Sequence, residues 1–259
     1  MQSLKLDKQL TVVTGAAQGI GAAVARALVG EGVRVAALDI DEDSLHVLAA
    51  ELGTDGLFPY VVDVSKGPAV EQAIAGIEAE HGPIDGLVNV AGILRLQAVV
   101  DIGDLDWEQT FAVNATGVFN VSRSVARAMI LRRTGAIVTV GSNATAVPRM
   151  NMAAYAASKA AAAHFTRCLG LELAPYGIRC NLVSPGSTDT AMQRQLWNDG
   201  AVPDSIISGS LEGFRTGIPL QRIASPEDIA EAVLFMLSER ARHITLHDLC
   251  VDGGATLGA

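Results

Sequence analysis

Residues 10–32 read "LTVVTGAAQGIGAAVARALVGEG". The first five residues are rich in Val and Thr, which favours a buried strand, whereas the alanine-rich part after the glycines favours a helix. The glycines between these two parts mark a tight turn. A strand, a turn and a helix in this order indicate the opening unit of an α/β fold with a parallel sheet.

The same alternation continues along the rest of the chain. Further apolar runs that predict strands occupy residues 33–39, 57–64, 84–90, 135–142, 178–186 and 247–254. Helical patterns lie between them, and the longest run from about Asp104 to Leu131 and from Met152 onward. We therefore predict a single domain over residues 1–259, an α/β Rossmann-type, doubly wound parallel sheet of about seven strands.

One segment interrupts this alternation after the sixth predicted strand. Residues 187–225 mix glycine, proline, polar residues and isolated large apolar residues. Ligands of open α/β sheets bind beyond the carboxyl ends of the strands, so an insertion at this place would lie over that crevice. We name residues 187–225 the lid segment and predict that it covers the substrate; an ordinary surface loop is the alternative.

The composition argues against several classes of function. The formal net charge is −9, the pI is about 5.0 and aromatic residues make up 4% of the chain, which argues against nucleic-acid or anionic-membrane partners. The three cysteines lie far apart and match no metal-ligand or redox spacing. We expect a soluble, cytoplasmic protein that has no metal site and acts on a small molecule.

Gly15, Gly19 and Gly21 lie in the turn after the first strand, with the spacing G-x-x-x-G-x-G. Glycine permits the tight turn and lets the backbone approach a pyrophosphate, which the following helix N-terminus stabilises. Three glycines alone are weak evidence, but their place between a strand and a helix strengthens it. With Gln18 and Ile20, they form the predicted phosphate-binding turn for a dinucleotide cofactor.

Asp39 ends the second predicted strand, where an acid can bind the 2′-hydroxyl of an adenosine ribose. A carboxylate there repels a 2′-phosphate, and no Arg or Lys lies between Thr14 and Gly21 or directly after Asp39 to bind one. The sequence therefore predicts NAD in preference to NADP. The alternative is that Asp39 only ends its strand or caps the next helix.

Tyr155 and Lys159 are four residues apart on the helix predicted from Met152, so both side chains lie on one face. A cation beside a phenol favours the phenolate, which brings a pKa of about 10 towards the range of acid–base catalysis. A surface lysine near a buried tyrosine is the alternative for the pair taken alone.

The whole chain resembles the classical short-chain dehydrogenase/reductase family. The glycine turn, "NVAG" at residues 89–92, Asn114, Ser142 and the Tyr155–Lys159 pair occur in the order and at the spacing of that family. The resemblance implies that Tyr155 is the general base and that Lys159 lowers its pKa and holds the nicotinamide ribose. It also implies that Ser142 hydrogen-bonds the reacting oxygen, that Asn114 supports a water-mediated proton path, and that the protein is a homotetramer.

Further cofactor contacts follow from the strand ends and the resemblance. They are Asp63 and Val64 near the adenine, Asn89, Ala91 and Gly92 along the groove, and Pro185, Gly186 and Thr188 on the nicotinamide side. Val90 departs from the family, which usually has a second asparagine there. We expect this change to loosen a hydrogen bond in the strand packing without touching the chemistry.

Four stretches carry a narrower resemblance. They are "GSNATAVPRMNMAAYAASKAA" (141–161), "LVSPGSTDTAMQRQLW" (182–197), "GIPLQRIASPEDIA" (217–230) and "HITLHDLCVDGGATLGA" (243–259). They look like the 2,3-dihydro-2,3-dihydroxybenzoate dehydrogenases of catechol-siderophore biosynthesis. This resemblance implies NAD-dependent oxidation of a cyclohexadiene diol acid to an aromatic catechol acid, and the gain of aromaticity makes the oxidation strongly downhill.

A carboxylated substrate needs a cation or aligned donors, whereas Ser142 and Tyr155 would bind its reacting hydroxyl. Arg149 precedes the Tyr155 helix, and Gln193 and Arg194 lie in the lid segment; we favour Arg149, with a solvated or interface arginine as the alternative. Three other functions stay open: a trans-2,3-dihydro-3-hydroxyanthranilate dehydrogenase, a generic 3-oxoacyl reductase, and a nucleotide-binding protein without catalysis.

Overall fold

The computed structural model describes residues 4, 6, 8–53, 55–195, 197 and 202–259. Within them, seven strands form one sheet in which every neighbouring pair is parallel. The strands are β1 (Leu10–Thr14), β2 (Arg34–Asp39), β3 (Leu57–Val61), β4 (Gly86–Asn89), β5 (Gly135–Val140), β6 (Ile178–Pro185) and β7 (Asp248–Val251). This sheet confirms the predicted fold class, and each strand lies within its predicted run.

Helices lie between the strands. They are α1 (Gly19–Gly30), α2 (Glu42–Leu52), α3 (Gly67–His81), α4 (Asp104–Phe111), α5 (Val118–Arg132), α6 (Ala153–Leu173), α7 (Ala191–Arg194), α8 (Asp204–Ile207) and α9 (Pro226–Leu237). None of the helices in the described part of the chain combines the length and the apolar character needed to cross a membrane.

The strand order creates a crevice at one edge of the sheet. The order is β3-β2-β1-β4-β5-β6-β7, so successive strands are added to one side of β1 and then, from β4 onward, to the other. At such a switch point the loops after neighbouring strands diverge and leave a ligand-binding crevice. Thr14 and Asn89 are paired at the carboxyl ends of β1 and β4, directly below it.

Two apolar cores lie on opposite faces of the sheet, because successive residues of a strand point to opposite sides. In β1, Val13 belongs to the core that includes α1 and α9, whereas Val12 belongs to the core that includes α3 and α5. Both side chains are fully buried. Packing on both faces fixes the carboxyl edge of the sheet, from which the site loops emerge.

The long helix predicted from about Asp104 to Leu131 contains one irregular turn. α4 continues into α5 through a π-helical turn, Ala112–Gly117, which holds one more residue than an α-helical turn. The buried Asn114 side chain lies in this turn and binds the backbone of Ile93, accepting from its N–H at 2.8 Å and donating to its carbonyl oxygen at 2.9 Å. The irregular turn thus holds Asn114 against the loop that follows β4.

The lid segment contains α7 and α8. Backbone bridges join Thr188 to Ala224 and Ser210 to Arg215. Leu196 and residues 198–201, which the predicted lid includes, lie outside the described residues. The covering role of the segment stays a prediction.

Candidate active site

A cavity of about 960 Å³ opens beyond the carboxyl ends of the strands. Its wall is formed by the glycine turn after β1, by the loops after β2 to β6 and by parts of the lid segment. This is the crevice at the switch point of the sheet. Every predicted cofactor contact except Asn89 lies in the wall.

The glycine turn leaves room for a ligand where a side chain would fill the space. Gly15 and Gly19 have positive φ angles of 64° and 55°. A Cβ at Gly15 would lie 2.7 Å from the backbone of Ala91, and one at Gly21 would overlap the carbonyl oxygen of Gly15. Because α1 begins at Gly19, its free N–H groups lie at the cavity. The turn therefore fits a pyrophosphate.

Asp39 lies at the end of β2 with its carboxylate held by three backbone amides. Oδ2 accepts from Ala17 N at 2.9 Å, and Oδ1 accepts from the N–H groups of Ile40 at 2.7 Å and Asp41 at 3.1 Å. Asp41 also lies in the cavity wall, and hydrogen bonds from Ser44 hold the pKa of the Asp41 carboxyl below its usual value. This part of the wall therefore presents two carboxylates to a ligand.

Asn89 is the exception among the predicted cofactor contacts. Its side chain is buried behind the wall, where Nδ2 donates to Ser122 Oγ at 2.9 Å and to Thr139 Oγ1 at 3.3 Å. These bonds join β4 to α5 and β5, so the structure places Asn89 in the packing and not in the cavity. Its neighbour Val90, within the "NVAG" stretch expected along the groove, lies in the wall. The Val90 N–H donates to Thr14 Oγ1 at 3.1 Å.

Ser142, Tyr155 and Lys159 come together where β5 leads into α6, and all three lie in the cavity wall. Ser142 is near enough to Tyr155 to lower the pKa of its phenol. The buried Lys159 donates from Nζ to the carbonyl oxygen of Val140 at 2.9 Å and lies 6.0 Å from the centre of the Tyr155 ring. The predicted base, its cation and the predicted hydroxyl contact thus occupy one corner of the cavity.

Asn114, the fourth predicted catalytic residue, lies just behind the wall. Its Nδ2 donates to Ser158 Oγ at 3.0 Å. A Cβ at Gly92 would lie 3.3 Å from Asn114 Oδ1 and 3.4 Å from Lys159 Nζ. Asn114 and Lys159 are therefore close to each other on the inner side of Gly92, as a proton path between them requires.

In the protein without a cofactor, burial has the largest effect on the pKa values of Tyr155 and Lys159. It raises the pKa of Tyr155 above its usual value of 10.0, against a lowering by the hydrogen bond with Ser142. It lowers the pKa of Lys159 to about 8, because a buried ammonium loses its hydration. The sequence predicted a lowered pKa for Tyr155, whereas in the protein without a cofactor burial acts in the opposite direction.

The structure places two of the three candidates for binding a substrate carboxylate in the cavity wall. Arg149 and Gln193 lie in the cavity wall, whereas Arg194 does not. The exposed Arg194 guanidinium instead pairs with Asp189 through two hydrogen bonds of 2.6 and 3.0 Å. Sequence reasoning missed Arg215, a lid residue whose position in the wall has no local sequence signal.

Comparison with known proteins identifies the family. A short-chain dehydrogenase/reductase family model, described as enoyl-(acyl carrier protein) reductase, matches residues 15–256. The chain belongs to the short-chain dehydrogenase/reductase family. The crystal structure of a short-chain type dehydrogenase/reductase from Mycobacterium marinum has the same fold, with a TM-score of 0.88, 31% identity and 98% of each chain covered.

Two relatives that match over their full length are both named 2,3-dihydro-2,3-dihydroxybenzoate dehydrogenase. The protein of Bacillus subtilis (strain 168) is 55% identical over 260 residues, which cover 100% of each chain. The vibriobactin-specific protein of Vibrio cholerae serotype O1 is 44% identical over 260 residues, which cover 99% of each chain.

A short-chain dehydrogenase/reductase is an oxidoreductase with a nicotinamide cofactor. The cavity fits such a group, because the glycine turn offers backbone N–H groups to a pyrophosphate and Asp39 offers a fixed carboxylate to a ribose. Bound in this cavity, the nicotinamide would accept a hydride from the substrate.

Proposed function

We propose that this short-chain dehydrogenase/reductase oxidises 2,3-dihydro-2,3-dihydroxybenzoate to 2,3-dihydroxybenzoate with NAD, as a step of siderophore biosynthesis. The observation that carries the proposal is the full-length match to dehydrogenases of that name. The intact Ser142, Tyr155 and Lys159 set in one cavity supports it. The same set weighs against a nucleotide-binding protein without catalysis, because binding alone would not require all three groups.

Tyr155 takes the central role in the proposed mechanism. Its phenolate accepts the proton of the substrate 3-hydroxyl. A bound nicotinamide would supply the acceptor for the hydride from the same carbon. Ser142, which lies with Tyr155 in the cavity wall, holds the reacting oxygen. Lys159 favours the phenolate by its charge, and Asn114 beside it passes the proton onward. The resulting ring ketone then loses a ring proton and becomes aromatic.

A substrate panel tests the proposed function directly. NADH formation is followed with 2,3-dihydro-2,3-dihydroxybenzoate, with trans-2,3-dihydro-3-hydroxyanthranilate and with a β-hydroxyacyl thioester. We expect the highest kcat/KM with the diol acid. A higher value with the amino analogue would assign the protein to the related anthranilate reaction, and activity with the thioester alone would leave only a generic reductase.

We further propose that NAD is preferred over NADP because the Asp39 carboxylate faces the position of a 2′-phosphate. Asp39→Asn keeps an oxygen that accepts from the backbone amides and removes the charge. We expect the ratio of kcat/KM with NAD to kcat/KM with NADP to fall by about 10- to 100-fold, the scale of one repulsive charge pair near a surface. Initial rates with the two cofactors at saturating diol acid give this ratio.

Asp43→Asn is the matched control for Asp39, because Asp43 lies in the first turn of α2 and outside the cavity wall. This variant should leave the ratio unchanged. Equal kcat/KM with NAD and NADP in the unvaried protein would show that Asp39 does not select the cofactor.

A homotetramer is proposed from the apolar surface that the long helices leave uncovered. Leu105 on α4, Phe119 on α5 and Leu171 on α6 are exposed by 64%, 38% and 67%. Contacts between these helices and between β7 edges of different copies would bury such side chains. Analytical ultracentrifugation would give a tetramer mass if this is right.

The three cysteines are all free thiols, in line with the proposed cytoplasmic setting.

A further inference from the structure

Two arginines of the cavity wall come from segments other than those that carry the predicted adenosine contacts. Arg149 lies in the loop between β5 and α6, six residues before Tyr155, and Arg215 lies in the lid segment. Burial lowers the pKa of Arg215, and the nearby charge of Arg149 lowers it further. Two positive charges therefore lie close together in a partly buried position. Their repulsion disfavours this arrangement unless an anion binds between them.

No protein group supplies that anion among the residues that the structure describes. Arg95, which also lies in the wall, pairs with Asp106 at 2.7 Å. Neither Arg149 nor Arg215 forms an ion pair or a side-chain hydrogen bond with a described residue.

The acidic side chains of the wall are used elsewhere. They are Asp39, Asp41 and Asp63, which lie at or just after the ends of β2 and β3, and each accepts a hydrogen bond from a backbone amide. The acidic and basic parts of the cavity thus belong to different loops.

Arg215 is held by the backbone on both sides. Its N–H donates to the carbonyl oxygen of Ser210 and its own carbonyl accepts from the N–H of Ser210, both at 2.9 Å. Thr216 Oγ1 donates to the carbonyl oxygen of Ala255 at 3.0 Å. Gly217 follows with a φ angle of 84°, and a Cβ there would overlap the carbonyl oxygen of Ile207. These contacts tie the base of the turn to the C-terminal segment, so Arg215 is presented to the cavity from a fixed position.

We propose that Arg149 and Arg215 together bind the carboxylate of the substrate and thereby orient its ring towards Ser142 and Tyr155. The proposal rests on the proposed function and adds Arg215 as the residue that selects a ring acid over a neutral ring diol. Planar guanidinium groups suit a carboxylate because each can donate two parallel hydrogen bonds.

The test compares a charged ligand with its uncharged counterpart. Arg215→Gln should lower kcat/KM for 2,3-dihydro-2,3-dihydroxybenzoate by about 10²-fold, the loss expected for one charge-assisted contact in a closed site. The same variant should change kcat/KM for the diol without a carboxylate only slightly. Arg215→Lys should recover part of the loss, because it restores the charge without the planar group.

The double variant Arg149→Gln/Arg215→Gln tests whether the two arginines act together. Its fold-loss in kcat/KM for the diol acid should be smaller than the product of the two single fold-losses, because both groups bind one carboxylate.

A binding measurement separates this inference from the proposed function. Calorimetric titration with 2,3-dihydroxybenzoate and with catechol needs no turnover, and Arg215→Gln should weaken only the binding of the acid. If the unvaried protein binds the acid no better than catechol, or if Arg215→Gln weakens both ligands equally, Arg149 and Arg215 are not a carboxylate site. If the diol acid yields no NADH, the proposed function fails, and the titration still decides the role of the arginines.

Arg222→Gln is the matched control for the arginine variants, because it removes the same group from the same segment. Arg222 lies outside the cavity wall and pairs with Asp228 at 2.6 Å. Its loss should leave both kcat/KM values and both titrations unchanged. A loss with Arg222→Gln as large as with Arg215→Gln would mean that lid stability, not carboxylate binding, explains the effect.

Discussion

Tyr155→Phe should lower kcat for the diol acid by about 10²-fold or more, because the variant keeps the ring and loses the only group proposed to accept the hydroxyl proton. The binding of NAD should stay nearly intact, since the phenyl ring still fills its place between Ser142 and Lys159. Steady-state kinetics give kcat, and fluorescence titration with NADH gives the Kd of the cofactor.

Tyr176→Phe removes the same hydroxyl from a tyrosine outside the cavity, where the ring contacts Arg133. This control should keep full activity. A Tyr155→Phe protein that retains most of its turnover would remove Tyr155 from the mechanism. A Tyr155→Phe protein that is inactive but has also lost its binding of NADH would point to a collapsed cavity instead.

Lys159→Met should lower kcat by about 10²-fold or more and also weaken NAD binding, because Lys159 is proposed to serve both the phenolate and the nicotinamide ribose. The cofactor-free variant should nevertheless be at least as stable as the unvaried protein near neutral pH. Burial lowers the pKa of Lys159 from 10.5 to about 8, and this change corresponds to a cost of about 3 kcal/mol for the buried ammonium. The lost bond to Val140 offsets part of the gain.

The difference in stability between Lys159→Met and the unvaried protein should shrink as the pH rises. Below pH 8, Lys159 is protonated in both the folded and the unfolded chain, so the full cost of burying its charge is present. Between about pH 8 and 10.5 the unfolded chain binds more protons than the folded one, so the unvaried protein gains stability as the pH rises. The advantage of Lys159→Met should therefore be largest near pH 7 and shrink towards pH 10.

Chemical denaturation of both proteins at several pH values measures this difference, and Lys66→Met, at an exposed lysine, serves as the control with no such trend. An advantage that grows with pH, or a Lys159→Met protein that is much less stable at pH 7, would contradict the role of burial. Unchanged turnover in Lys159→Met would contradict its catalytic role.

The sequence predicted most of the fold because the signals it depends on are local. Strands buried on both faces are mostly apolar, so the run from Leu10 to Thr14 can be recognised without knowing its neighbours. At Gly21 the glycine turn is equally local, because a Cβ there would overlap Gly15, whereas the space at Gly15 is limited by Ala91 on the loop after β4. Tyr155 and Lys159 follow from the helical period.

Features that depend on distant contacts could not be read in this way. Asn89 looks like a groove residue from its place in the chain, but Ser122 and Thr139 on other elements bind its side chain behind the wall. Arg194 looks available until its pairing with Asp189 is known. No local sequence pattern marks Arg215 as a site residue, because only the folding of the lid segment brings it close to Arg149.

The π-helical turn between α4 and α5 bears on how this enzyme can change over generations. Deleting one residue from Ala112–Gly117 would restore an unbroken α-helix, but it would also rotate α4 by about 100° relative to α5. The bonds of Asn114 to Ile93 and the present packing of α4 against α6 could not both survive that rotation. We therefore expect the extra residue to be retained wherever the proposed role of Asn114 is retained. Among descendants of this protein, the number of residues between β4 and β5 should record which lineages have retained the reaction.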